Sequence, residues 1–170
     1  MNAQTTRGAA LAALGACAGA LILGIRPGGA TQGSSKTQVY KVTMSDEQWH
    51  KKLTPDQYAV LREQATERAF TSPLLEEHRK GTFLCAGCSS KLFSSQTKFE
   101  SGSGWPSFWQ PIDKDAVATT VDYAIGVPRT EVHCATCGGH LGHVFDDGPA
   151  PTHLRYCMNG VALTFEPEKA

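Results

Sequence analysis

The sequence predicts an α+β fold, mainly antiparallel β, with short helices confined to the N-terminal side of the folded region. Two observations carry this reading. Ser45 with Gln48 and Thr54 with Gln57 each pair a hydroxyl cap with a Gln three positions on, the signature of a helix start. From Gly81 onward the chain breaks into short β-like runs separated by Gly and Pro.

The first helix follows Ser45. The second follows Thr54, with Pro55 at the first helical position, and leads into a loosely helical apolar pattern of Tyr58, Leu61, Ala65 and Phe70 that Pro73 bounds. Strands are expected over Thr82–Leu84, Lys91–Phe93, Val117–Asp122, Thr130–His133, His143–Phe145, Leu154–Cys157 and Val161–Phe165. The expected domain covers residues 39–168. Residues 31–38, rich in Gly and Ser, read as a flexible linker.

Residues 1–30 have the parts of an export signal: Arg7, a charge-free run from Gly8 to Ile25, and a small-residue exit at Ala30. A retained membrane anchor is the main rival reading, and Leu14-Gly15-Ala16-Cys17 looks like a bacterial lipoprotein cleavage site. The expected location is therefore exported or membrane-attached, the bacterial periplasm first, with the cytoplasm less favoured. In the 170-residue chain 16 Lys and Arg balance 16 Asp and Glu, so nothing marks a nucleic-acid binder.

Cysteine spacing carries the chemistry. Cys85-Ala86-Gly87-Cys88 and Cys134-Ala135-Thr136-Cys137 each follow an expected strand, the arrangement of two knuckles around a tetrahedral Zn²⁺. Two disulfides are the alternative in an oxidising compartment, but the Gly138-Gly139 turn fits a metal knuckle better. The interval between the pairs is far longer than the roughly 15–20 residues of a small zinc ribbon, so the metal would clip distant parts of one domain. With four thiolates bound it would have no open position for catalysis, which makes it structural.

Cys157 lies outside that set. A free cysteine is often a buried small hydrophobe. Here Arg155 and Asn159 stand two residues either side, so on a strand all three side chains share one face. A cation there lowers the pKa of a thiol, and an Asn amide can hold substrate or thiolate. His140 and His143, in a Gly-rich segment followed by Asp146 and Asp147, suggest acid/base work. Trp105, between Gly104 and Pro106, suits a pocket wall, whereas Phe108 and Trp109 are expected in the core.

These motifs together resemble the methionine-R-sulfoxide reductases of the B type (the MsrB family). The resemblance spans Val42 to Phe165 through Phe99-Glu100-Ser101-Gly102-Ser103-Gly104-Trp105-Pro106-Ser107-Phe108, His140-Leu141-Gly142-His143-Val144-Phe145-Asp146-Asp147-Gly148-Pro149 and Leu154-Arg155-Tyr156-Cys157-Met158-Asn159-Gly160. It implies a β domain of two antiparallel sheets and a zinc bound by Cys85, Cys88, Cys134 and Cys137. It also implies that Cys157 is the nucleophile, that His140, His143, Arg155 and Asn159 line the polar side of its pocket, and that Trp105 receives the ε-methyl group of the substrate. The implied substrates are oxidised proteins or peptides carrying methionine sulfoxide, with the free amino acid left open.

A thiolate attacking the sulfoxide sulfur needs a proton for the departing oxygen, most simply from His143, and ends as a sulfenic acid. Many family members place a resolving cysteine in the Gly-x-Gly-Trp turn, where this chain has Ser103. The sulfenic acid is then expected to be reduced by an external thiol, thioredoxin-like or of low molecular weight. Cys17 is the one other conceivable resolver, provided residues 1–30 stay attached. The rival classes are a zinc-ribbon binding module and a purely structural zinc domain, in both of which Cys157 would be inert.

Overall fold

The computed structural model describes residues 39–169, and the expectations for an export signal, an anchor, a linker and Cys17 lie outside them. Helix α1 spans Asp46–Lys52 and helix α2 spans Pro55–Glu63. Both begin as the sequence predicts, on complete capping boxes in which Ser45 and Thr54 accept from the Gln48 and Gln57 backbone N–H while those Gln side chains accept from the cap N–H. The second helix stops short of the apolar pattern attributed to it. Gln64 turns left-handed at φ 58°, and Phe70, the last residue of that pattern, stands 71% exposed.

Nine strands follow among the described residues: β1 (Gly81–Cys85), β2 (Lys91–Ser94), β3 (Lys98–Phe99), β4 (Ser107–Phe108), β5 (Val117–Asp122), β6 (Arg129–Cys134), β7 (His140–Phe145), β8 (Arg155–Met158) and β9 (Leu163–Pro167). They form a three-stranded sheet in the order β2-β1-β9 and a six-stranded sheet in the order β3-β4-β8-β7-β6-β5, with antiparallel pairing throughout. The two-sheet architecture is the one the resemblance implies. The two-residue strands β3 and β4 were not expected, because they are defined by pairing with a neighbour and carry no run of β-favouring residues.

β7 begins at His140, three residues earlier than the strand expected from His143, so it carries both histidines. Between the two histidines the register shifts: Val132 and His133 of β6 face Gly142 and His140, which leaves Leu141 of β7 as the extra residue of a bulge. Phe83 and Phe93 of the smaller sheet meet Phe108 of the larger, with ring centroids 4.9 Å and 4.4 Å apart. Val132, Leu141 and Met158 complete this fully buried layer, while Trp109 is only partly buried. Apolar burial of this kind is the main force holding the sheets together.

Candidate active site and metal centre

The first residue of each Cys pair ends a strand, Cys85 on β1 and Cys134 on β6. The knuckles then close alike: the N–H of Ser89 donates to the Cys85 carbonyl and that of Gly138 to the Cys134 carbonyl, each at 2.8 Å. Ser89 and Gly138 occupy the same left-handed position, at φ 61° and 71°. Glycine is required at the second, where a Cβ would also run into the Tyr40 ring.

The four sulfurs converge from both knuckles. Cys85 Sγ lies 3.7 Å from Cys137 Sγ and Cys88 Sγ 3.5 Å from Cys134 Sγ, and the four ligand atoms all fall within 4.8 Å of one another. Tetrahedral coordination at about 2.3 Å per bond places sulfurs about 3.8 Å apart, so the cluster fits a metal. No pair comes near the ~2.05 Å of a disulfide, and all four thiols are free. Mutual S–H bonding pushes Cys88 down and Cys134 down to about 7, while it pushes Cys85 and Cys137 up. Such uneven sharing of protons among crowded buried sulfurs is what a soft divalent cation would replace with four equal bonds. Helix α2 covers the centre, with Arg62 donating to the Cys137 carbonyl at 3.2 Å.

Cys157 occupies the middle of β8, opposite His143 on β7 and Ser107 on β4. It lines a cavity of about 100 Å³ with Thr66, Trp105, Arg129, Gly142, His143, Phe145 and Asn159. Gly142 brings β7 against β8, since a Cβ there would collide with the Cys157 carbonyl. Larger depressions elsewhere on the described surface do not have Cys157 in their lining.

The sequence-predicted residues reach this cavity unequally. Trp105 forms a wall, and its indole Nε1–H donates to the Glu67 carbonyl at 2.9 Å. His143 also lines it, with Nε2 2.8 Å from Asp122 Oδ2. Burial pushes the imidazole below its ordinary value, against the upward pull of Asp122. Asp122 itself is held well down, first by the Ala124 backbone N–H and then by His143. It also takes Arg129 Nη2 at 2.6 Å.

His140 stands behind His143, ring centroids 5.4 Å apart, and its Nδ1 pairs with Glu131 Oε1 at 2.7 Å. It is not among the residues lining the cavity. Arg155 shares the face of Cys157, but its guanidinium forms a two-pronged pair with Asp147, both contacts at 2.8 Å, and lies 4.5 Å over Phe145. Its expected influence on the thiol is therefore shared with a carboxylate. The Asn159 amide is engaged at both ends: Oδ1 accepts from the Glu67 N–H at 2.8 Å and Nδ2 donates to the Leu141 carbonyl at 3.0 Å. That ties the turn after Cys157 to the segment that holds Trp105.

Asp122, Arg129, Phe145 and Thr66 belong to the site without having been singled out in the sequence. The parity of β5 was a usable signal for Asp122. Along an alternating strand it shares a face with Thr120, which bonds Glu131 across the ladder at 2.7 Å.

The SelR domain model matches residues 53–167. A protein of Leptospira interrogans named peptide methionine sulfoxide reductase MsrB is 56% identical over 129 residues, 76% of this chain and 98% of the relative. Proteins of the same name from Bradyrhizobium diazoefficiens and Agrobacterium fabrum are 56% identical over 134 residues and 54% identical over 127 residues. These alignments cover 79% and 75% of this chain, and 96% and 94% of the relatives.

Proposed function

The chain belongs to the SelR-domain family of peptide methionine sulfoxide reductases, and on that premise we propose that it reduces the R epimer of methionine sulfoxide through a sulfenic acid on Cys157 that an external thiol removes. The observation that carries this reading is the setting of Cys157 in a cavity of about 100 Å³, between the apolar walls of Trp105 and Phe145 and the imidazole of His143. Whole small ligands fill pockets of roughly 300 Å³ or more. A cavity this small takes the tip of one side chain, which suits a methyl sulfoxide presented by a protein, a peptide or the free amino acid.

The chemistry follows from the residues. The Cys157 thiolate attacks the electrophilic sulfur and forms an S–S bond while His143 delivers a proton to the sulfoxide oxygen. As that bond breaks, the oxygen passes to the cysteine as S–OH and methionine leaves, reduced by two electrons. Two equivalents of an external thiol then return Cys157 to S–H and yield one disulfide and one water. Ser103 and Arg155 flank the sulfur, Asp147 pairs with Arg155 from behind, and Asn159 with Glu67 holds the turn that follows.

Zinc is the metal we assign to the four-cysteine cluster, because four converging thiolates, three of them buried, with no vacant position suit a structural Zn²⁺. The charge-free run from Gly8 to Ile25 supports export or membrane attachment, and sequencing the N-terminus of protein from the periplasmic and membrane fractions tests it. Incubating a methionine-R-sulfoxide peptide with the protein and a dithiol tests the activity. Mass spectrometry is expected to show loss of one oxygen from the peptide, and Cys157→Ser to abolish it. Full activity in Cys157→Ser would refute the assignment.

A further inference from the structure

The nucleophile terminates a chain of three serine hydroxyls. Ser103 Oγ lies 3.6 Å from Cys157 Sγ, Ser101 Oγ is 2.8 Å from Ser103 Oγ, and Ser107 Oγ is 2.7 Å from Ser101 Oγ. Ser107 is 1% exposed and sits in register with Cys157 on the neighbouring strand. Ser103 and Ser101 are half-buried in the turn leading to it. Two short hydrogen bonds in series, ending at a thiol outside the metal cluster, are more than a turn needs for its own closure.

We propose that Ser103 is a catalytic residue that donates a hydrogen bond to the Cys157 thiolate, and that Ser101 and Ser107 are positioning residues that orient its hydroxyl. The proposal rests on the reading of Cys157 as the nucleophile.

Proton counting shows why the chain suits that role. Each hydroxyl owns one proton and two lone pairs. With a thiolate at its end the chain runs toward sulfur: Ser107 donates to Ser101, Ser101 to Ser103, and Ser103 to Cys157. With a thiol it runs the other way: Cys157 donates to Ser103, Ser103 to Ser101, Ser101 to Ser107, and Ser107 to the Trp105 carbonyl 3.1 Å away. The Ser103 N–H donates to Ser101 Oγ at 3.3 Å in either direction and occupies its remaining lone pair. Reversal needs only three rotations about C–O bonds, with no heavy atom displaced, so the turn can serve both protonation states of the sulfur.

The charged and titratable groups facing Cys157 are His143 from β7, Arg155 from its own strand with Asp147 behind it, and Arg129 with Asp122 from the β5–β6 hairpin. None of them is altered by changing the serines. A neutral donor in a partly buried site adds a second directed bond beside the contact that Arg155 makes with the sulfur.

The test is alkylation of Cys157 by iodoacetamide, followed by mass spectrometry on the full, metal-loaded chain. At pH 7 Ser103→Ala is expected to react about tenfold more slowly than wild type, the effect of one lost hydrogen bond to a charged group. The deficit should fade as the pH is raised, because the bond matters only where it shifts the balance between thiol and thiolate. Removing a hydroxyl opens the site, so slower reaction cannot come from blocked access. Ser103→Thr, which restores the donor, is expected to recover most of the rate. Ser101→Ala and Ser107→Ala should slow it less, again only near neutrality. Wild-type alkylation in Ser103→Ala at pH 7, or a deficit that persists undiminished at high pH, would overturn the proposal. Failure of the reductase reading would appear separately, as sulfoxide reduction that survives Cys157→Ser.

Discussion

His143 Nε2 lies 2.8 Å from Asp122 Oδ2, and the two arrive there from the third and first strands of the β5-β6-β7-β8 ladder, whose fourth strand carries Cys157. With Nε2–H donating to the carboxylate, Nδ1 is the nitrogen left to take up a proton and pass it on. Burial lowers the imidazole below its ordinary value and Asp122 pulls it back up. A general acid works only while protonated, so the alkaline limb of single-turnover reduction should begin below about pH 6.5. Asp122→Asn removes the upward pull and leaves the Arg129 charge, which also lowers the imidazole, so the limb should move further to the acid side. Stopped-flow single-turnover profiles of the two proteins check this. A limb that stays in place would remove Asp122 from the mechanism.

His143→Gln should lower the single-turnover rate by roughly 100-fold or more and flatten its alkaline limb, with the fold intact by circular dichroism. An unchanged rate would hand the proton to a different donor. His140 is the poorer alternative, since it is buried behind His143 and committed to Glu131.

Trp105→Ala should lower kcat/KM by roughly 10- to 200-fold, because it takes away an apolar wall that a methyl group would contact. Trp105→Phe keeps the wall but loses the Nε1–H bond to the Glu67 carbonyl, and should fall between the wild type and Trp105→Ala. Steady-state kinetics with a short methionine-sulfoxide peptide measures both. Equal losses in the two variants would show that the indole hydrogen bond, and not the apolar surface, governs the site.

The metal prediction concerns stability. Structural zinc contributes on the order of 10 kcal/mol of apparent binding free energy, comparable to the whole stability of a domain. The four sulfurs join β1 to β6, in different sheets, so Cys134→Ser or chelation should lower the melting temperature sharply or unfold the domain. Elemental analysis should return one zinc per chain. A metal-free protein that melts like the wild type would contradict the assignment.

Much of this site could be read along the chain. Both capping boxes, the two knuckles and the candidate nucleophile are local patterns, in which the chemistry depends on residues a few positions apart. What stayed hidden depends on pairing across the fold. The Asp122–His143 contact joins β5 to β7 across β6, and Glu67 accepts from the Gly160 N–H at 2.6 Å from the far end of the domain. Neither has a local signature. Arg155 was legible as a neighbour of Cys157, but its engagement by Asp147 depends on how the loop after β7 folds back.

Ser103→Cys should install a resolving thiol. The Ser103 Oγ already stands 3.6 Å from Cys157 Sγ, so a sulfur in that place can reach the sulfenic acid with little movement. One turnover of the variant should then leave a disulfide between the substituted position and Cys157 by peptide mapping, and a dithiol reductant should recycle it. Persistence of the sulfenic acid in the variant would show that the turn cannot bring the two sulfurs together.

The central claim is that Cys157 takes the oxygen and, with Ser103 beside it, has no resolving thiol outside the metal cluster among the described residues. The most direct measurement is one turnover with a methionine-R-sulfoxide peptide in the absence of added thiol, quenched with a sulfenic-acid trapping reagent and mapped by mass spectrometry. The account predicts one adduct per chain, on Cys157, in step with methionine formed. An intramolecular disulfide involving Cys157, or methionine formed with no adduct, would contradict it.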